Sequence, residues 1–420
     1  MVASTDIKYF VHTNINAPQL DNVQGSMIAV LDACLVNGLT LGTVNSMTAT
    51  GTKVTVNFGS AHNLLRFQVL KISGATQAEY NGEHRILSVP TTSSITFDVA
   101  TAPSASPATG TIVASLPSLG WSLPFTGTGK RAYKNTDIDS PYLRVVDGLD
   151  PAWTSTFSKY AKVGMVAAMT DIDTMTGHQV PYDPAAPNKN WVGTGSSYDA
   201  YNGWAKWFYA ISQIENNPNA NKYSAPANGT RTWVLVGDGT TFYILNKLNP
   251  SSDARFHVPH GFGKLNNLSP VNANAYFLAA TDDYSISSTP KLMTSASLVS
   301  TNTSSGAKSF MFSNYKGELV YNATANAMTF ANSGDLNCGS SGIFSGASAY
   351  VPVFNNEYIL VDRSDGGVYP RGIVPIMRWL PQSMPYAHLQ TVIDGADINL
   401  AVNIIAMQSA GQVLFNLGQL

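Results

Sequence analysis

The amino-acid sequence predicts a mainly β, multi-domain protein, and three observations carry that expectation. Side chains alternate with period two through much of residues 43–117. Turn-forming residues punctuate these runs at short intervals. Only 12% of the chain is charged, about half the share usual in soluble proteins. Ser, Thr, Asn and Gly stand where Lys and Glu would otherwise be, which suits turn-rich β-structure and disfavours long exposed helices.

The 420 residues allow roughly two or three folded units. Residues 1–42 are expected to be an N-terminal arm and helix. The helix runs from Ser26, a capping residue, to Asn37, with Gly38 available to end it. Met27, Val30, Leu31, Cys34 and Leu35 recur at three- and four-residue spacing and give it an apolar face, while Ile28 and Val36 widen that face. So short a helix needs a partner, either its own domain or a neighbouring subunit. Met27, Val30, Leu31 and Leu35 are therefore candidate subunit-interface residues.

Residues 43–117 read as a small β-sandwich or barrel module. Its strands are Lys53–Phe58, Phe67–Ile72, His84–Val89, Ile95–Val99 and Thr111–Ala114, parted by turns such as Asn81-Gly82. Residues 118–420 read as a larger β-rich domain with few short helices. Within it, Thr232–Val236 and Thr241–Leu245 form a hairpin through Gly237-Asp-Gly239. The Ser- and Thr-rich stretch inside 280–350 is expected to be a weakly packed excursion. Strands return at Glu357–Val361, Leu400–Ala406 and Gln412–Asn416. The prolines from Pro370 to Pro385 forbid a regular helix or central strand throughout the stretch between them.

Motifs that carry chemistry are scarce. His257-Val-Pro-His260 offers two imidazoles, but a metal needs three or four ligands and the proline spoils helical alignment. Asp171-Ile-Asp173 lacks further acids at calcium-loop spacing, and Asp282-Asp283 reads the same way, as a solvated strand end. Gly127-Thr-Gly129-Lys130 and Gly193-Thr-Gly195 lack the phosphate-loop spacing and read as turns. The four Asn-x-Ser/Thr sequons, at Asn228, Asn267, Asn302 and Asn322, are what chance gives in so Asn- and Ser-rich a chain. No catalytic residue, metal ligand or cofactor site is expected. Cys34 and Cys338 are expected to be free thiols.

The aromatic segment holding Trp191, Tyr201, Trp204 and Trp207 is the best candidate for binding. Such rings serve a core, a subunit interface or a carbohydrate platform, with the first two favoured over the third. A net charge of −2 argues against a nucleic-acid partner, which needs clustered Lys and Arg. No apolar run of about 18 residues is present, so no membrane partner is expected. The N-terminus MVASTDIKYF has neither the basic start nor the apolar stretch of a signal peptide.

Several stretches resemble, in order, a family of virion structural proteins of tailed bacteriophages, associated with the tail or baseplate. They are Gly25–Leu39, Ile72–Thr76, Tyr80–His84, Trp121–Thr128 with Lys130–Tyr133, Tyr142–Asp147, Trp233–Tyr243, the His260–Gly263 turn and Gly411–Phe415. Ser295–Ser305 and Phe330–Tyr350 depart from it. The resemblance implies a place in the virion, reached from the host cytoplasm, and no reaction. Expected partners are further copies of the chain and other virion proteins, and an ion-poor surface desolvates cheaply in such contacts. The alternative is a tail fibre or tip that recognises host surface glycan. A wall hydrolase carried on the particle ranks third, since no carboxylate pair suggests itself.

Overall fold

A computed structural model describes residues 2–150, 156, 158–182, 184–192, 205–211, 225–250, 257–267, 275–282, 309–313, 319–328, 355–361, 369–380, 384–406 and 409–420. Strands take 51% of the chain and helix 5%, so the mainly β, multi-domain class is the observed one. The described strands pair antiparallel throughout and fall into three sheets.

The first sheet holds seven strands, in the order Gly82–Arg85, Val69–Ala75, Gly110–Leu116, Leu39–Thr50, Lys53–Phe58, Ser94–Asp98 and Ser88–Thr91. Its two outermost strands follow each other along the chain, so the sheet's ends meet across residues 82–91 and it curls around its own core. Met47, Val54, Val56, Leu70, Ile72 and Phe97 fill that core, each almost fully buried. The Leu39–Thr50 strand starts earlier than period-two alternation indicates. Register shifts at Thr40/Gly42 and Val44/Ser46 break the alternation there.

The second sheet runs Ser122–Gly127, Lys130–Lys134, Tyr142–Val146, Lys159–Val166, Ala205–Ala210 and Thr281–Asp282, with Gln179–Val180 also beside Lys159–Val166. Tyr133, Leu143, Val145, Ala161, Val163 and Trp207 lie in the main core. Ala132, Val146 and Val166, on the opposite face, pack with Trp191.

The third sheet has thirteen strands. Its path runs Lys8–Val11, Trp233–Gly237, Thr241–Asn246, Val258–Lys264, Tyr276–Ala279, Ser309–Ser313, Leu319–Met328, Asn355–Val361, Tyr369–Leu380, Ser409–Gln419, Asp397–Ala406 and Thr391–Asp394, with Asn266–Asn267 beside Tyr369–Leu380. The expected hairpin is present at Trp233–Gly237 and Thr241–Asn246. The Asp238 carboxylate closes its turn by accepting from the amides of Thr240 and Thr241 at 2.7 and 2.9 Å.

Three expectations are corrected and one is borne out. Residues 1–42 are not a separate arm, because Lys8–Val11 pairs along Trp233–Gly237 and is buried on both faces. His260-Gly-Phe-Gly263 is strand interior and not a turn, and its glycines are there for space: a Cβ on Gly263 would sit 2.5 Å from the Thr241 Cα across the ladder. As expected, the proline-rich stretch is not regular strand throughout: residues 384–390 hold no strand, and Tyr369–Leu380 is a strand broken by a bulge. Its pairing with Asn355–Val361 skips from Ile373 to Arg378, which places Pro375 in a bulge where no ladder N–H is required. Within 280–350, Ser309–Ser313 and Leu319–Met328 are paired strands of the large sheet and not an excursion. The remainder of that stretch from 283 onward, Cys338 included, lies outside the described residues.

The first and third sheets meet at Arg85. Its guanidinium is buried and donates to the carbonyls of Ser4 (2.7 Å), Phe67 (2.8 Å) and Leu417 (2.8 Å). Burial lowers its pKa to about 10. Ser4 and Gln419 are also bonded directly, amide to carbonyl at 3.0 Å. The first sheet, the N-terminal segment and the last strand are thus held at one point.

Candidate functional site

Residues 26–37 form two segments, an α-helix over Ser26–Leu31 and a wider π-turn over Asp32–Asn37. Ser26 does not cap it; its hydroxyl donates to the Val23 carbonyl at 2.6 Å. The cap comes from far along the chain. The Asp147 carboxylate accepts from the amides of Met27 (3.0 Å) and Ile28 (3.3 Å) and from the Tyr209 hydroxyl (2.7 Å). A carboxylate answers the unpaired amides of a helix start and the positive end of its dipole. Burial outweighs these donors, however, and pushes the Asp147 pKa up to about 7. Asp32, at the other segment, accepts from Arg131 at 2.9 Å and from the Tyr133 hydroxyl at 2.6 Å. The amides of Leu119 and Trp121 donate to the carbonyls of Cys34 and Leu35.

Met27, Val30, Leu31 and Leu35 are fully buried within this chain. This corrects their assignment to a subunit interface: the helix finds its partner in its own sheets, each side chain contributing roughly 1.5–3 kcal/mol by burial. The extra apolar residue Ile28 is buried too, so the broad greasy surface belongs to a helix covered on several sides. Cys34 is buried and free, and burial raises its thiol pKa well above the usual value.

The aromatic segment divides. Trp207 lies in the Ala205–Ala210 strand, fully buried, with its indole N–H on the Ala279 carbonyl at 2.8 Å. Its ring meets Phe242 edge-on at 5.9 Å and lies nearly parallel to the His260 ring at the same separation. Trp191 is buried against the outer face of the second sheet. A Cβ on Gly164 would come 2.7 Å from its ring, so a glycine there makes the seat. Its indole N–H reaches Gln179 at 2.9 Å, and the Arg144 guanidinium stands 4.4 Å from the ring centre. Neither tryptophan can serve as an open glycan platform or a subunit contact, which corrects both candidates. Tyr201 and Trp204 lie outside the described residues.

Around Trp191 the outer face alternates cations with rings. Lys134 sits 5.4 Å from the Tyr142 ring and Lys206 4.9 Å from that of Tyr160. Lys162 is buried with Asp150 at 2.9 Å and also donates to the Trp191 carbonyl at 2.5 Å. Desolvation lowers the Lys162 pKa, and Asp150 opposes that shift. Asp173 binds Lys130 at 2.6 Å and Arg144 at 2.9 Å, and these partners hold its carboxyl below the usual range. Asp171 accepts from the amides of Asp173 and Thr174 at 2.8 and 2.9 Å. The pair is exposed, as expected, but it lies in a turn rather than at a strand end; Asp171 shapes that turn and Asp173 bridges two cations.

His257 and His260 do not converge. His257 stacks on His388 at 4.6 Å and lies 3.0 Å from the Thr232 hydroxyl, whereas His260 faces Trp207 and the Phe208 carbonyl. Three residues apart on an extended chain, they point to opposite sides. Among the described residues no group of three or more His, Cys, Asp or Glu is placed to hold a metal ion.

Sequence reasoning missed Asp147 and Arg85, two buried charged groups that each join distant segments. A lone acid at a strand end, in Val-Val-Asp147-Gly, gives no hint of a helix start 120 residues earlier. Comparison with protein-family models finds no match, and comparison with curated proteins finds none either.

Proposed function

We propose that this chain is a non-enzymatic assembly subunit that works as one copy within a symmetric oligomer. The assembly we assign it to is the virion of a tailed bacteriophage, at the tail, baseplate or collar. One observation carries the reading: an ion-poor composition, with 12% charged residues, suits a surface covered by sister chains, because unpaired ions are the costliest groups to bury in a protein contact. Closed symmetry then multiplies modest contacts into a durable ring. The ordered motif resemblance supports the choice of virion.

The fold changes how this is tested. Removing residues 1–40 would strip a strand from the large sheet and the helix from the core, so a truncated chain would report on folding and not on docking. The intact chain is the right reagent. Its mass in solution should correspond to a multiple of the monomer, and cross-linking of purified particles should return peptides of this chain joined to copies of itself and to other virion proteins. A stable monomer that never copurifies with particles refutes the proposal.

The glycan alternative loses Trp191 and Trp207 to the core. Trp207→Ala would unfold the protein before it could report on a receptor, so host-cell binding by the intact oligomer, lost on Trp204→Ala, is the test of that reading.

A further inference from the structure

The sequence contains four Asn-Gly pairs, at Asn37, Asn81, Asn202 and Asn228; Asn202 lies outside the described residues. In such a pair the glycine amide nitrogen can attack the asparagine side-chain carbonyl. The new N–Cγ bond forms, the Cγ–Nδ2 bond breaks, and the side-chain nitrogen leaves as ammonia, taking up the proton of the attacking amide. Water then opens the resulting cyclic imide at one of its two C–N bonds and leaves aspartate or isoaspartate. Only water is consumed, and no cofactor is involved.

The fold sets the three described pairs apart. The Asn81 carboxamide is held at both ends, its oxygen accepting from the Ala75 amide (3.1 Å) and its nitrogen donating to the Ala75 carbonyl (2.8 Å). After Asn37, the Gly38 amide donates to the Ala33 carbonyl at 2.7 Å, which turns the nucleophile away. Asn228 is exposed, and the Gly229 amide has no hydrogen-bond partner among the described residues. The Asn228 Oδ1 also accepts from the Asn22 side-chain N–H at 2.7 Å. A donor on that oxygen polarises the carbonyl under attack and stabilises the oxyanion that forms there.

We propose that Asn228 is a site of spontaneous deamidation, primed by Asn22, and that its conversion loosens the fastening of residues 20–22 ahead of the helix. That fastening consists of the Asn22–Asn228 bond, the Thr230 hydroxyl on Asp21 at 2.8 Å, and the Arg231 amide on the Leu20 carbonyl at 2.8 Å. The carboxylate made at 228 still accepts from Asn22, but it adds a negative charge two residues from Thr230, whose hydroxyl binds Asp21, and like charges there repel.

The test ages the full-length folded chain at mildly alkaline pH and follows each peptide by mass spectrometry for the gain that marks an amide turned to an acid. The Asn228 peptide converts first, ahead of those with Asn37 and Asn81; in the urea-unfolded chain the three convert at similar rates. Equal or faster conversion at Asn37 or Asn81 in the folded chain overturns the proposal, as does the same ranking after unfolding. Asn22→Ala slows conversion at Asn228 several-fold in the folded chain alone, and an unchanged rate removes Asn22 from the mechanism. In Asn228→Asp the Arg231 amide exchanges hydrogen faster than in the parent, and unchanged exchange defeats the loosening.

Discussion

Replacing Asp147 by Asn should change how stability depends on pH more than it changes stability itself. In the folded chain the Asp147 carboxyl titrates near 7, against 3.8 in the unfolded chain. The native state therefore holds its proton more tightly. A group of this kind favours folding fully below the unfolded value, and the contribution disappears as pH rises through the folded one. With about three units between the two and ~1.36 kcal/mol per unit, the wild type should lose on the order of 4 kcal/mol relative to the Asp147→Asn variant between about pH 4 and pH 7. The amide keeps one acceptor oxygen for the Met27 and Ile28 N–H groups but brings an N–H pair into a site built from donors, a roughly constant cost of about 1–3 kcal/mol. The wild type should thus be the more stable protein in mild acid, and its lead should shrink or reverse by about pH 8. Urea unfolding of both proteins, followed by tryptophan fluorescence across this range, measures the difference directly. Histidines titrating in the same window affect both proteins alike and cancel. A difference that is flat with pH, or that grows as pH rises, would show that Asp147 is ionised in the fold throughout and that burial does not govern it.

Further outcomes follow from the same structure. Arg85→Met leaves the Ser4, Phe67 and Leu417 carbonyls without their donor, so a loss of about 3–5 kcal/mol is expected, read from the urea midpoint; a loss under about 1 kcal/mol would mean that other groups satisfy those carbonyls. His260 is fully buried, and burial lowers its pKa to about 4. A depressed histidine contributes stability above its unfolded value of 6.5 that is lost as pH falls toward 4, so His260→Phe should flatten the acid limb by up to ~1.4 kcal/mol per pH unit, and an unaltered limb would place the charge change elsewhere. Gly164→Val should drive the Trp191 ring off the sheet and uncover Arg144, shifting tryptophan emission to the red and lowering the melting temperature; unchanged emission would mean the seat has room to spare.

Much of the fold was legible because its code is local. Period-two runs named four of the seven strands of the first sheet, though His84–Val89, expected as one strand, is split between Gly82–Arg85 and Ser88–Thr91, and Asp238-Gly239 between apolar runs named the central hairpin, because side-chain alternation and turn chemistry act over a few residues. The signal failed where bulges interrupt alternation, as at Thr40/Gly42, and where glycines make room for a neighbouring strand, as at Gly263. The role of the helix was legible only by half. Met27, Val30, Leu31 and Leu35 announce an apolar face, but nothing in their spacing says whether the surface they meet belongs to the same chain. Trp191 and Trp207 were ambiguous for the same reason, since a ring has the same sequence signature whether it faces a core or a ligand. Asp147 and Arg85 were out of reach, because their partners are mostly backbone groups, which every residue has and no sequence advertises.

The meeting of Ser4, Phe67 and Leu417 on one guanidinium bears on how the molecule comes apart. Peeling away the last strand, lifting the N-terminal segment or detaching the curled module each abandons the same cation in a place without water, so none of the three has a cheap first step. Segments separated by hundreds of residues are thereby tied to one another, and a pull on any of them first meets the cost of stranding that cation.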